Sequence, residues 1–277
     1  IIKRGVPLIT AAEGEALAVI QREANLRDAE TVRVLSSPPA RNIQTVLYRT
    51  VWLRREEPDL AGIGASDGPG GRQTISLQGL HREYLGLTIP LLGVHQALNA
   101  AVAAAAVDVL QEQGFKITED QLRQGLATVI WPGRLEIVCR EPLILVDGAH
   151  NPAGARRLAE FLGRNFLDYR IILILGILED KDREKIVREI APLADAIMVT
   201  APPSTRAGDW AAAARIAECY TDRVFLQESI PEALLTGIEL VQEAADSGKK
   251  ALLCVTGSLY LVAEARRLLR FQAGAED

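Results

Sequence analysis

The hydrophobic pattern changes its period along the chain, and those changes mark the elements. Residues 143–146, 171–176, 196–200 and 251–256 are short, almost unbroken apolar runs, the signature of strands buried on both faces. Residues 223–226 form a fifth, weaker run. Between and after them, residues 152–162, 183–193, 209–220, 231–245 and 259–271 carry helical patterns. Strand and helix alternate, which predicts βαβ units and a mostly parallel sheet with helices on both faces. Upstream the pattern is mixed. Residues 6–10 and 31–35 read as strands around a helix at 12–24, and residues 45–54, 73–77 and 84–90 as further strands. Residues 38–41 are a break and 67–72 a turn-rich loop. Residues 95–113 form the clearest helix, rich in alanine and stopped by Gly114. Thr118 and Gln121 fit a capping box that opens a short helix to about Ala127. The chain is therefore α/β, and its length suggests two domains, with a boundary near residues 134–141 that we set at 139/140.

Composition narrows the classes. An apolar content of 48% is enough for proper cores, and a net charge of −5 argues against a nucleic-acid partner, which calls for a basic surface. Cys139, Cys219 and Cys254 form no CxxC pair, so neither a disulfide framework nor a zinc site is indicated, and all three are expected to be buried thiols. No apolar run approaches the roughly 18–20 residues of a membrane span, and the start shows no secretory leader. No membrane partner and a cytoplasmic location are expected. The chain opens Ile-Ile-Lys-Arg-Gly without an initiator Met and reads as a piece of a longer protein.

Candidate chemistry concentrates in residues 131–158, WPGRLEIVCREPLILVDGAHNPAGARRL. An apolar strand ends in Asp147, followed by Gly-Ala-His150. Then come Asn151, suited to an N-cap, and Pro152, suited to the first helical position. Parallel α/β sheets bind ligands beyond the carboxyl ends of their strands. Asp147, His150 and free helix N–H groups would meet in one such crevice; the alternative is an Asp that caps its own turn beside a satisfied His. Arg134 can fork onto a phosphate or be a solvated loop residue. His95, Gln96 and Asn99 share the first turns of the alanine-rich helix, where they can contact a nucleotide base or ribose or simply bond locally. GILEDKD, residues 176–182, could touch a cation or an amine, or be a solvated turn before a helix. Residues 201–207, APPSTRA, have Arg206 as their only charge, and Thr256-Gly257-Ser258 can cap the last helix. The phosphate-loop pattern GxxxxGK[ST] is absent, as is GxGxxG after a strand; Ser247-Gly248-Lys249-Lys250 precedes a strand, not a helix.

The ordered series GVHQALNAAVAAA, WPGRLEIV, LVDGAHNPAGARRL, GILEDKD, PPSTRA and TGSLYLVAEAR closely resembles the folylpolyglutamate synthase/dihydrofolate synthase family of the Mur ligase superfamily. IIKRGVPLIT is similar to a family segment too, and residues 11–80 are the least distinctive. The resemblance implies that residues 1–139 are the C-terminal part of the central ATPase domain and 140–277 a Rossmann-like glutamate ligase domain. It implies ATP-dependent ligation of L-glutamate to folate or dihydropteroate through an acyl phosphate, with ATP and Mg2+. It also implies nucleotide contacts: Asn99 near the base, Arg134 near the phosphates and Asp147 near the ribose. His150 and Ser258 match positions on the glutamate side. The family's phosphate loop, its Mg2+-binding Glu and His and its carbamylated lysine would lie upstream of Ile1, so no catalytic or metal-binding residue is assignable here. The chain alone is expected to be inactive and monomeric. A peptidoglycan-type Mur ligase and a non-catalytic Rossmann-like binding module are the competing readings.

Overall fold

The computed structural model describes residues 1–37, 49–59 and 71–272. Among these, the residues up to Ile130 form one compact unit and those from Trp131 onward a second.

The first unit is built on a five-stranded sheet of β1 (Leu8–Thr10), β2 (Thr31–Leu35), β3 (Arg49–Asp59), β4 (Arg72–Gln78) and β5 (Glu83–Ile89), in that spatial order. The first three strands run parallel, and β4 is antiparallel to both β3 and β5. Helix α1 (Gly14–Asn25) links β1 and β2. Helix α2 (Val94–Glu112) buries Ala97, Ala101, Ala104 and Ala105 in one core with Val32, Val51, Ile75, Leu77 and Leu87 from the strands. Alanine thus serves twice here, favouring the helix and presenting a flat face to the sheet. Helix α3 (Glu119–Ala127) opens with the expected box: Thr118 Oγ1 accepts from Gln121 N–H at 3.2 Å, and Gln121 Oε1 accepts from Thr118 N–H at 2.9 Å. The expected strand at 45–54 is described only from Arg49, and the 38–41 break and most of the 67–72 loop lie outside the described residues.

The second unit is a six-stranded sheet in the order β10 (Val224–Gln227), β9 (Ala196–Thr200), β8 (Tyr169–Leu175), β11 (Lys250–Thr256), β7 (Leu143–Val146), β6 (Glu136–Arg140). All neighbours are parallel except β6 and β7. Successive strand residues face opposite sides. On one side Ile144, Val146, Ile172, Ile174, Leu253 and Val255 pack with α7 (Ile230–Asp246) and α8 (Leu259–Gln272). The other side carries α4 (Pro152–Asn165), α5 (Arg183–Ile190) and α6 (Ala212–Ala217), packed one against the next. This is the doubly wound arrangement that the alternating pattern predicts.

Three expectations are corrected. Of the three thiols expected to be buried, Cys254 is, Cys139 is partly buried and Cys219 is exposed. A boundary at 139/140 falls inside β6, which pairs with β7 and belongs to the second unit; the division comes earlier, at 130/131. The strand was hidden because it is short, edge-lying and only partly buried, so it lacks the continuous apolar run of its neighbours. The helix expected at 209–220 forms only over Ala212–Ala217. Arg183 holds the preceding chain in turns, donating to Asp209 O at 2.7 Å and to Ala207 O at 2.5 Å.

A buried polar pair ties the first unit together. Asp108, fully buried on α2, accepts from the Tyr84 hydroxyl and from Leu80 N–H (2.7 Å), and burial beside this carboxyl pushes the Tyr84 phenol far above its ordinary pKa. Tyr84→Phe removes one donor and leaves Asp108 under-satisfied. It should cost about 1–3 kcal/mol in urea unfolding; an unchanged midpoint would show that the pair contributes nothing net.

Candidate functional site

The site forms where the strands of the second sheet end. The Asp147 N–H donates to Val255 O at 3.0 Å, carrying the β7–β11 pairing one residue beyond the strand. The side chain then turns inward. Oδ2 accepts from Leu135 N–H and Oδ1 from Ala149 N–H, each at 2.9 Å, and the residue is only 6% exposed. One carboxylate thereby fastens the 133–135 loop and the 147–150 turn to each other. Gly148 N–H donates to Gly133 O at 2.8 Å, completing the clasp.

Arg134 is half-buried in that clasp. A Cβ on Gly148 would lie 3.3 Å from both Arg134 Nη1 and Gly133 O, so the arginine passes close against Gly148. His150, half-buried, is held by a 2.8 Å hydrogen bond between Nδ1 and Gly148 O. Asn151 accepts from Gly154 N–H at 2.8 Å and caps α4, with Pro152 in its first turn as expected. Ser258, 1% exposed, follows β11; its Oγ accepts from Leu261 N–H at 3.1 Å and caps α8. Arg134, Asp147, His150 and Ser258 therefore all stand at the carboxyl end of the second sheet.

Asn99 stands in the first unit. It is exposed on α2 and donates through Nδ2 to Gln96 Oε1 at 3.1 Å, so the neighbouring amides found in the sequence do bond locally. GILEDKD divides its work. Asp182 caps α5 through Lys185 N–H at 3.1 Å, while Asp180 pairs with Lys181 at 2.8 Å and with Arg206 at 3.6 Å. Sequence reading missed one contact: the Arg206 guanidinium lies 5.7 Å from the Tyr260 ring centroid. Two residues 54 apart in sequence leave no local signal for such a stack.

Residues 133–259 match the Mur ligase glutamate ligase domain. Over 276 residues the chain is 33% identical to the dihydrofolate synthase/folylpolyglutamate synthase of Mycobacterium tuberculosis, covering 94% of this chain and 56% of that protein. The Bacillus subtilis counterpart is 29% identical over 275 residues, 98% of this chain and 56% of its own length. The chain belongs to the folylpolyglutamate synthase/dihydrofolate synthase family. A structure of the Mycobacterium tuberculosis folylpolyglutamate synthase complexed with ADP superposes with a TM-score of 0.79 at 30% identity, over 94% of this chain and 54% of that one. The chain thus spans about half the length of the curated family members it matches.

The electrostatics of Asp147 yield a test. Burial raises its pKa, against the opposing pull of the Leu135 and Ala149 N–H groups, Arg134 and His150. The folded chain therefore holds this proton more tightly than the unfolded chain, and ionisation costs stability. That cost is absent below the ordinary aspartate range and grows as pH rises through the raised value. Asp147→Asn cannot ionise. The stability of the wild type relative to Asp147→Asn should rise as pH is lowered from neutral into the mildly acidic range. Urea unfolding of both at the two pH values reads this directly, and a relative stability that falls on acidification contradicts the raised pKa.

Proposed function

We propose that this chain provides the nucleotide-closing and glutamate-binding half of an ATP-dependent ligase that joins L-glutamate to folate or dihydropteroate. The supporting observation is the match to folate ligases along 94% of the chain, with Asp147 and Arg134 of the matched motifs clasped together at the sheet's carboxyl end. In this reading Asn99 meets the base, Arg134 the phosphates and Asp147 the ribose. Each Asp147 oxygen accepts one backbone N–H, and a carboxylate oxygen has a second lone pair to accept a ribose hydroxyl. ATP phosphorylates the folate-side carboxylate, and the amine of glutamate displaces phosphate from the acyl phosphate. Arg134 would offset charge on the transferring phosphoryl group, a task for which a fixed guanidinium is suited. His150 and Ser258 would orient glutamate. The Ser258 oxygen is engaged as a helix cap, which leaves its O–H to donate.

Mg2+ belongs to the implied chemistry, but among the described residues no three His, Cys, Asp or Glu side chains cluster to hold a metal ion. The GxxxxGK[ST] loop is likewise missing from the 277 residues. Neither a peptidoglycan substrate nor a non-catalytic role gains a specific observation.

Two outcomes test the proposal. The purified chain alone should make no ATP- and glutamate-dependent product, because phosphoryl transfer lacks its phosphate loop; turnover free of host enzyme would overturn this. In an enzyme that joins this chain to a phosphate-loop domain, Arg134→Ala should lower kcat/KM roughly ten- to a hundredfold, the worth of a charged hydrogen bond. His150→Ala should raise KM for glutamate and leave that for ATP nearly unchanged. If Arg134→Ala is silent, or His150→Ala disturbs only ATP, the two roles are misassigned.

A further inference from the structure

Helix α2 begins without a side-chain cap. Its N-cap is Gly93, at φ 95°, where Ser, Thr, Asp or Asn would ordinarily anchor the first turn. The anchor comes instead from the sheet. Gln73 on β4 is fully buried and donates through Nε2 to Leu91 O at 2.6 Å and to Gly93 O at 3.0 Å. Gly93 O is also the acceptor that starts the helix, bonding Gln96 N–H at 2.9 Å and Ala97 N–H at 3.3 Å. Gln96 Oε1 in turn accepts from Asn99 Nδ2. These contacts run from the sheet, through the connector carbonyl, to the backbone of Gln96, whose side chain in turn holds Asn99. Burying an amide is costly, and Gln73 Oε1 has no hydrogen-bond partner among the described residues, a penalty that an apolar side chain would avoid.

We propose that Gln73 is a positioning residue for nucleotide-base recognition. It fixes the start of α2, and through Gln96 it fixes the orientation of the Asn99 amide, whose Oδ1 can then accept from the exocyclic amine of adenine. This rests on the assignment of Asn99 to the base. A merely structural Gln73 would alter stability alone, whereas a positioning Gln73 alters base preference, because hypoxanthine presents a carbonyl where adenine presents the amine.

Titration of the whole chain with ADP, IDP and pyrophosphate, followed by side-chain amide and backbone NMR shifts, separates these cases even for millimolar binding. In the wild type, ADP should move the Asn99 side-chain signals and bind more tightly than IDP. In Gln73→Met, the ADP-over-IDP preference should fall roughly fivefold, the worth of one net hydrogen bond, while pyrophosphate still shifts signals around Arg134. Leu77→Ala, a core truncation in the same strand, should lose stability and keep the preference. If Gln73→Met does not fold, Gly93→Ala, which strains the same connector, should show the same loss. Unchanged base preference in the variants that fold overturns the proposal. A wild type whose Asn99 signals ignore ADP removes the base assignment itself, and the role of Gln73 with it.

Discussion

The second unit depends on one buried carboxylate. Asp147 is desolvated at the end of β7, where an ionised group is costly, and it is retained because its two oxygens accept the N–H groups of Leu135 and Ala149. Those bonds join two segments that sheet hydrogen bonding does not reach. With the Gly148 N–H to Gly133 O bond they hold the loop carrying Arg134 against the turn carrying His150. The same bonds leave the second lone pair of each oxygen for a ligand. The structural role of Asp147 is thus compatible with the binding role proposed for it, since a carboxylate can accept more bonds than the clasp uses.

Close backbone approach is the second constraint. At the carboxyl edge β8 and β11 are followed directly by Gly176 and Gly257, and β7 by Asp147 and then Gly148. A Cβ on Gly257, at φ 107°, would fall 2.7 Å from Gly176 O, and one on Gly176 would fall 3.0 Å from Thr200 O. The strand ends are therefore packed backbone to backbone, and the side chains proposed for binding, Asp147, His150 and Ser258, come from positions flanking these glycines. Thr256 adds a weaker tie, donating from Oγ1 to Ala149 O at 3.5 Å.

Much of this was legible in the sequence, for identifiable reasons. Strands buried on both faces write themselves as apolar runs, so β7, β8, β9 and β11 could be read directly, and with them the strand end at Asp147. Caps are local chemistry, which is why Thr118 and Asn151 were foreseeable. What escaped depends on distant partners. β6 is defined by pairing with β7 rather than by its own pattern. The shortening of α6 depends on Arg183 reaching across to Ala207 and Asp209. Gln73 looks like any strand polar residue until Leu91 O and Gly93 O are seen to close on it. The roles assigned to Asn99, Arg134, Asp147, His150 and Ser258 came from motif resemblance; the structure adds where each stands and what already holds it.

The backbone around Arg134 carries the argument one step further. Gly133 and Leu135 on either side both adopt positive φ, at 72° and 44°. For Gly133 this is without steric penalty, but for leucine the left-handed region costs about 1–2 kcal/mol. The cost is offset locally. Leu135 is 3% exposed, so its side chain gains core burial, and its N–H is the group that Asp147 accepts. Glu136 secures the other end of the turn, accepting from Gly133 N–H at 2.7 Å while paired to Arg266 at 2.8 Å. A solvated loop arginine would need none of this. The turn that carries Arg134 is therefore held at both ends, and the arginine leaves it in close contact with Gly148. A backbone held in this way fixes where the arginine side chain starts, which narrows the positions its guanidinium can reach.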